Sequence, residues 1–191
     1  MVMNKPPLLL HACCGVCSAY VPERLMPDFD VTIYYENSNI YPSDEFYKRQ
    51  EAAKIMAQGF KLPFIEAPYK PEDWFKDVRG LKNEPERGKR CDACIYHRLD
   101  KTFKYAKENG FFAVATTLSV SRRKDINQVN AIGYTLAEIY GLEFIGRDWK
   151  KQEGEKISQQ RAKATGIYRQ EYCGCVYSKI KLDNHKKNLA L

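Results

Sequence analysis

The chain has 191 residues, is 44% hydrophobic and 29% charged, and carries a net charge of +7. Eleven glycines and nine prolines are too few for a collagen-like or low-complexity chain, and thirteen tyrosines, nine phenylalanines and two tryptophans exclude a disordered one. The basic balance favours nucleic acid, an acidic membrane or a phosphorylated substrate, and does not choose among them.

Leu8–Leu10 is a short apolar run that breaks into the loop His11–Ser18, the pattern of a buried parallel strand. The apolar stretch Pro6–Leu10 is shorter than the roughly 7–15 residues of a signal-peptide core. No stretch approaches the ~20 apolar residues of a membrane span. A cytoplasmic protein with no membrane association is expected. A helix follows over about Cys17–Met26, then a β-branched and aromatic strand at Asp30–Tyr35 and a polar loop at Asn37–Pro42. Ser43 is the expected N-cap of a helix running to about Gln58, with Gly59 as its stop. Phe64–Ala67 is a third strand and Pro71–Val78 a short helix.

After the charged loop Lys82–Arg90, a long helix is expected from Cys91 to about Asn109, ended by Gly110; Leu99, Phe103 and Ala106 form its apolar stripe. Phe111–Leu118 reads as the central strand, Ser119–Lys124 as a basic loop, Asp125–Tyr140 as an amphipathic helix and Glu143–Ile145 as a last strand. Helices are expected again at Ser158–Ala164 and from Tyr177. The alternation predicts one α/β domain over 1–191, a Rossmann-like parallel sheet flanked by helices, with a small helical C-terminal extension over about 150–191. Loops that follow strands share one edge of such a sheet, where ligands bind. The loops at 11–18, 37–42 and 119–124 therefore converge.

Seven cysteines cannot all pair within one chain. They fall in tight groups: Cys13, Cys14 and Cys17; Cys91 and Cys94; Cys173 and Cys175. Such grouping reads as metal ligation or redox chemistry in a compartment where thiols stay reduced. The first five thiols form two chelating sets. A structural zinc site is one reading, but zinc ribbons place about 15–20 residues between their pairs, and here most of a domain intervenes. A fifth thiol is also surplus to a four-coordinate site. It suits an iron–sulfur cluster with a second metal, or an open catalytic position. Cys173-Gly174-Cys175 can close a tight disulfide or stand as two buried thiols.

His11, beside the first cysteines, could ligate metal, donate a proton or simply end a strand. Asp92 could bind a hard metal or favour a helix start. Arg122, Arg123 and Lys124, with Tyr168 and Arg169, could hold phosphates and stack on unpaired bases. No phosphate-binding, dinucleotide or nucleophile-elbow motif occurs.

Leu9-Leu10-His11-Ala12-Cys13-Cys14-Gly15-Val16-Cys17-Ser18 resembles the opening of the cobalamin-independent epoxyqueuosine reductases, the QueH type. So do Asn37-Ser38-Asn39-Ile40-Tyr41-Pro42, Arg90-Cys91-Asp92-Ala93-Cys94 with Arg98-Leu99, Thr116-Thr117-Leu118-Ser119-Val120-Ser121, Asp148-Trp149-Lys150-Lys151 and Tyr168-Arg169-Gln170-Glu171-Tyr172-Cys173-Gly174-Cys175. These segments run in order over nearly the whole chain. The family opening usually reads C-C-A-P-C, and Gly15-Val16 depart from it. The resemblance implies a HUP/PP-loop-like variant of the fold. It also implies reduction of epoxyqueuosine to queuosine at the wobble base of tRNA, recognised in the anticodon loop. A [4Fe–4S] cluster would be held by four of Cys13, Cys14, Cys17, Cys91 and Cys94, either Cys13 or Cys17 completing the set of Cys14, Cys91 and Cys94. A mononuclear iron on the leftover thiol and Asp92 would be the second metal, and a low-potential electron donor of unstated identity is required. Asn37, Asn39 and Ser119 join the basic residues as expected substrate contacts, and Cys173/Cys175 as a redox pair. A tRNA thiolase and a zinc-stabilised RNA-binding module are the rival readings. The first should carry an S-G-G-x-D-S loop where this chain has HACCGVC.

Overall fold

A computed structural model describes residues 5–189; the ends of the domain expected over 1–191 lie outside that range. Five parallel strands form one sheet: β1 (Pro7–His11), β2 (Asp30–Tyr35), β3 (Phe64–Glu66), β4 (Ala113–Thr116) and β5 (Glu143–Phe144), in the order β3-β2-β1-β4-β5. Leu8 stands opposite Val31 on one side and Ala113 on the other. The chain winds outward from β1 to β3, then returns to β1's other side with β4. The switch in direction lies between β1 and β4, and a crevice opens beyond their carboxyl ends.

The sheet is central because both of its faces are apolar. Leu8 and Leu10 face one layer with Val31, Ala113 and Ala115. Leu9 faces the opposite layer with Val114, Leu99, Phe103 and Leu136. Each fully buried leucine contributes about 1.5–3 kcal/mol. Among the described residues eight α-helices cover the sheet: α1 (Gly15–Ser18), α2 (Val21–Leu25), α3 (Ser43–Gly59), α4 (Pro71–Asp77), α5 (Lys89–Glu108), α6 (Ile126–Tyr140), α7 (Gly154–Ala164) and α8 (Val176–Leu189). Among the described residues no helix is long and apolar enough to cross a membrane.

Several boundaries differ from the sequence-based expectation. The helix expected over Cys17–Met26 is two short helices. Cys14 caps the first, its Sγ accepting from the Cys17 amide at 3.4 Å. Pro22, in the first turn of α2, has no N–H to continue a helix from α1. Ser43 lies inside α3 rather than capping it. The amides of Glu45 and Phe46 donate to the Pro42 carbonyl, so the helix begins one residue earlier in its hydrogen bonding. α5 starts at Lys89, and β4 ends at Thr116, where the Thr116 hydroxyl accepts from Leu118 N and starts a 3₁₀ turn over Thr117–Val120. α7 begins at Gly154, packed so tightly that a Cβ there would lie 1.9 Å from the Trp149 carbonyl oxygen.

Candidate metal centre

The β1–α1 loop presents its thiols at the switch point. Cys13, Cys14 and Cys17 place their sulfurs within 4.8 Å of one another. The Cys13 amide donates to Thr117 Oγ1 at 3.0 Å, and that hydroxyl donates to Cys13 Sγ at 3.3 Å. Hydrogen bonds from Cys14 and Cys17 hold the Cys13 thiol well below its ordinary value, with help from Arg98. The contact with Cys13, with burial, pushes Cys14 up to about 12, and contacts with Cys13 and Cys14 push Cys17 up as well. One of the three thiols therefore ionises readily, and the other two give up protons only to a stronger competitor such as a metal.

These thiols open into a cavity of about 390 Å³. Its walls come from the first loop, the loop after β2, the 3₁₀ turn with the basic loop after it, and the tail. The lining is strongly cationic: Arg49, Arg98, Arg122, Arg123, Lys124 and Arg169 face a single carboxylate, Glu155. Glu155 accepts from Arg122 at 2.8 Å. Arg49 and Arg98 are buried, and Arg98 donates to Asn37 Oδ1. Composition singles out neither arginine, and only Arg98 falls in a segment that carries the family resemblance. Arg49 sits four residues after Glu45 on α3, and Arg98 four residues after Cys94 on α5, so helical spacing was the signal each carried.

A second cavity, of about 230 Å³, adjoins the first. Lys124 and Cys173 line both, while Cys91 and Cys175 line only the second. Cys94 is buried beside Trp74 and Val78, with Cys175 packed against that cluster. The seven cysteines are free thiols here, Cys173 and Cys175 included. Burial opposes ionisation of Cys173, but Lys124, joined by Arg98 and Arg49, outweighs it and brings this thiol below its ordinary value. Burial, with the nearby Cys173 and Cys175, pushes Cys94 up.

Of the expected substrate contacts, Asn37, Asn39, Arg122, Arg123, Lys124 and Arg169 line the larger cavity. Lys124 is 8% exposed and faces sulfur rather than solvent, unlike the phosphate contact expected of it. Ser119 and Tyr168 turn away. Ser119 donates to the Arg147 carbonyl at 2.9 Å, and Tyr168 to Glu45 Oε2 at 2.7 Å. Asp92 occupies the first turn of α5 and lines neither cavity. His11 also stands off the cavity wall. It is fully buried, with Nδ1 against Thr116 Oγ1 at 2.8 Å and Nε2 against the Glu36 carbonyl at 3.0 Å. Burial, then Arg98, hold its imidazole down to about 3. It is a neutral post joining β1, β2 and β4.

The sequence model described as epoxyqueuosine reductase QueH matches residues 8–181. This chain belongs to the QueH family. It is 42% identical over 173 residues to the epoxyqueuosine reductase QueH of Histophilus somni, covering 90% of this chain and 71% of that protein. The Streptococcus pyogenes QueH is 38% identical over 180 residues, covering 91% and 71%. The Thermotoga maritima QueH is 35% identical over 184 residues, covering 91% of each. The QueH chain also shares its fold with two solved structures at 12% identity. One is a predicted tRNA methyltransferase subunit from Methanocaldococcus jannaschii, with TM-score 0.54 over 80% of this chain and 76% of that one. The other is the U34-tRNA thiolase NcsA from Methanococcus maripaludis with its [4Fe-4S] cluster, with TM-score 0.52 over 98% and 68%.

Proposed function

We propose that this protein is an epoxyqueuosine reductase. It removes the epoxide oxygen of epoxyqueuosine, at the wobble position of tRNA, to give queuosine. The oxygen leaves as water, which takes two electrons and two protons. The observation that carries this reading is the convergence of Cys13, Cys14 and Cys17 on one cavity at the switch point, in a chain whose family is named for that reaction.

The donor set fits a redox centre better than a structural ion. A structural zinc is closed off by four protein ligands, whereas these three thiols face an open, cation-lined cavity. We assign a [4Fe–4S] cluster to four of Cys13, Cys14, Cys17, Cys91 and Cys94. The remaining thiol would hold a mononuclear iron; Asp92, which lines neither cavity, is set aside as its oxygen donor. The bound centre supplies the electrons and a Lewis acid for the epoxide oxygen. Arg49, Arg98 and Lys124 offset the accumulated thiolate charge. Arg122, Arg123 and Arg169 are suited to the phosphates of an anticodon loop. Cys173 and Cys175 stand as the redox-active pair, with Lys124 keeping Cys173 ready to react. A low-potential electron donor in the cytoplasm completes the system. The NcsA fold likeness does not favour a thiolase, because the loop after β1 holds thiols where ATP would need backbone and glycine.

The test is anaerobic reconstitution with iron and sulfide, incubation with epoxyqueuosine-containing tRNA and a low-potential reductant, and mass spectrometry of the nucleosides. Queuosine should form, and Cys91→Ser should lose both the visible absorption and the product. Full activity in iron-free protein overturns the reading. Purification with zinc alone and no turnover moves the protein to the RNA-binding class.

A further inference from the structure

Gln170 lies in the tail segment between α7 and α8 and reaches back across the chain to the first loop. Its Nε2 donates to Cys14 Sγ at 3.0 Å. Its Oε1 is buried, has no protein partner, and belongs to a residue lining the larger cavity. Two other lining residues bear orphaned buried atoms, Asn39 through Oδ1 and Arg98 through Nε. Buried polar atoms are nearly always paired. Two acceptors and one donor unpaired around one cavity therefore describe a ligand rich in O–H and N–H groups that also carries an acceptor.

The segment that carries Gln170 is held on both sides. Arg49 donates to the Tyr172 and Cys173 carbonyls, each at 3.2 Å. Tyr41 N donates to the Gly174 carbonyl at 2.9 Å, and Arg123 to the Glu171 carbonyl at 3.0 Å. Tyr168 is tied to Glu45, which itself pairs with Arg49. The amide is thus set in place by anchors outside the thiol loop. A metal-bound thiolate has no proton to give, so only the N–H edge of the amide can meet it. Oε1 is then left as the unpaired edge of a residue that lines the cavity.

We propose that Gln170 is a positioning residue that couples the cavity to the redox centre. Its N–H stabilises negative charge on the Cys14 sulfur and raises the reduction potential of a centre held there, as hydrogen bonds to ligand sulfur do. Its Oε1 accepts from a hydroxyl or amine of the modified base. A bound substrate fixes the amide and tightens its grip on the sulfur. Reduction is thereby favoured when the cavity is full, and by linkage the reduced protein binds substrate more tightly by the same factor. The inference rests on the proposed function, in which Cys14 holds the redox centre.

The test compares wild type, Gln170→Leu and Gln170→Glu after anaerobic reconstitution. Iron and sulfide content is measured first, then the midpoint potential by visible absorption. Potentials are taken with and without an anticodon stem-loop bearing epoxyqueuosine. Q170L should keep its iron and shift to a more negative potential. Its reduced-to-oxidised ratio at a fixed poise should fall roughly three- to tenfold, tenfold being about 59 mV for a one-electron couple. Q170E, which puts a carboxylate against the sulfur, should shift further. The stem-loop should raise the potential of wild type and leave that of Q170L unmoved. Equal potentials in iron-loaded wild type and Q170L overturn the coupling alone, and so does iron loss in both variants. A wild type with no redox-active iron overturns the underlying function as well.

Discussion

Cys13 and Thr117 grip each other in both directions across the gap between β1 and β4. The cysteine amide donates to the threonine hydroxyl at 3.0 Å, and the hydroxyl donates to the sulfur at 3.3 Å. One hydroxyl therefore fixes the backbone of the first loop and lowers the pKa of its most acidic thiol. Thr117→Val should leave the buried Cys13 N–H unsatisfied, at a cost of about 1–3 kcal/mol. The Cys13 thiol should become harder to ionise, while Thr117→Ser keeps both contacts. Denaturant melts and site-resolved alkylation of the metal-free protein check both effects.

Gly15 marks where this chain departs from the family opening, and the packing explains it. A Cβ on Gly15 would lie 2.7 Å from the carbonyl carbon, carbonyl oxygen and Cβ of Ala52 on α3. The alanine of the usual pattern needs α1 and α3 further apart. Gly15→Ala should destabilise by about 1–3 kcal/mol through overpacking. The thermal midpoint should fall by about 2–4 °C per kcal/mol at this size. Iron retention should weaken too, because Cys14 and Cys17 flank the displaced turn.

Lys124 and Cys173 support each other's charged forms. Burial disfavours the ammonium, but the neighbouring sulfurs, Cys173 foremost, outweigh it and raise the lysine. Cys173 is lowered in turn. A lowered acid stabilises the fold above its unfolded value, near 9 for a thiol, and loses that contribution as pH falls through the folded value. A raised base stabilises below its unfolded value, near 10.5 for lysine, and loses it as pH rises through the folded value. The pair is therefore worth most in mildly alkaline solution. Lys124→Met should slow alkylation of Cys173 at neutral pH about tenfold per unit of upward shift. An unchanged pH profile for Cys173 would show that the ammonium does not set its reactivity.

His11 predicts an acid sensitivity. Its imidazole is held down to about 3 in the fold against 6.5 when free, so the unfolded chain takes up its proton first. Stability from this group is intact above pH 6.5 and declines as pH falls from there towards 3, by several kcal/mol in all. His11→Gln should give a flatter stability profile over that window, measured as the difference between two denaturant series. At neutral pH the variant should be weaker by about 1–3 kcal/mol, for the contacts to Thr116 and Glu36 that it cannot fully replace.

Much of the framework is local information. The run Leu8–Leu10, the β-branched strand Asp30–Tyr35 and the alternation of strand and helix specify a parallel sheet, because each apolar face must be covered on both sides. Asp125 and Gly141 bound α6 as cap and left-handed stop, as their residue types imply. The spacing of Cys13, Cys14 and Cys17 puts three sulfurs on one short turn whatever the rest of the chain does.

What tertiary structure alone decided is which distant groups meet those sulfurs. Lys124 sits in a basic loop that reads as solvent-facing, yet it is folded inward between two cavities because thiols on α5 and the tail make that burial favourable. His11 looks like a ligand beside cysteines and is instead a neutral crosslink between strands. Gln170 meets Cys14 from 156 residues away. No periodicity or propensity records such a contact, because its partners share no element and are joined only when the tail closes over the switch point.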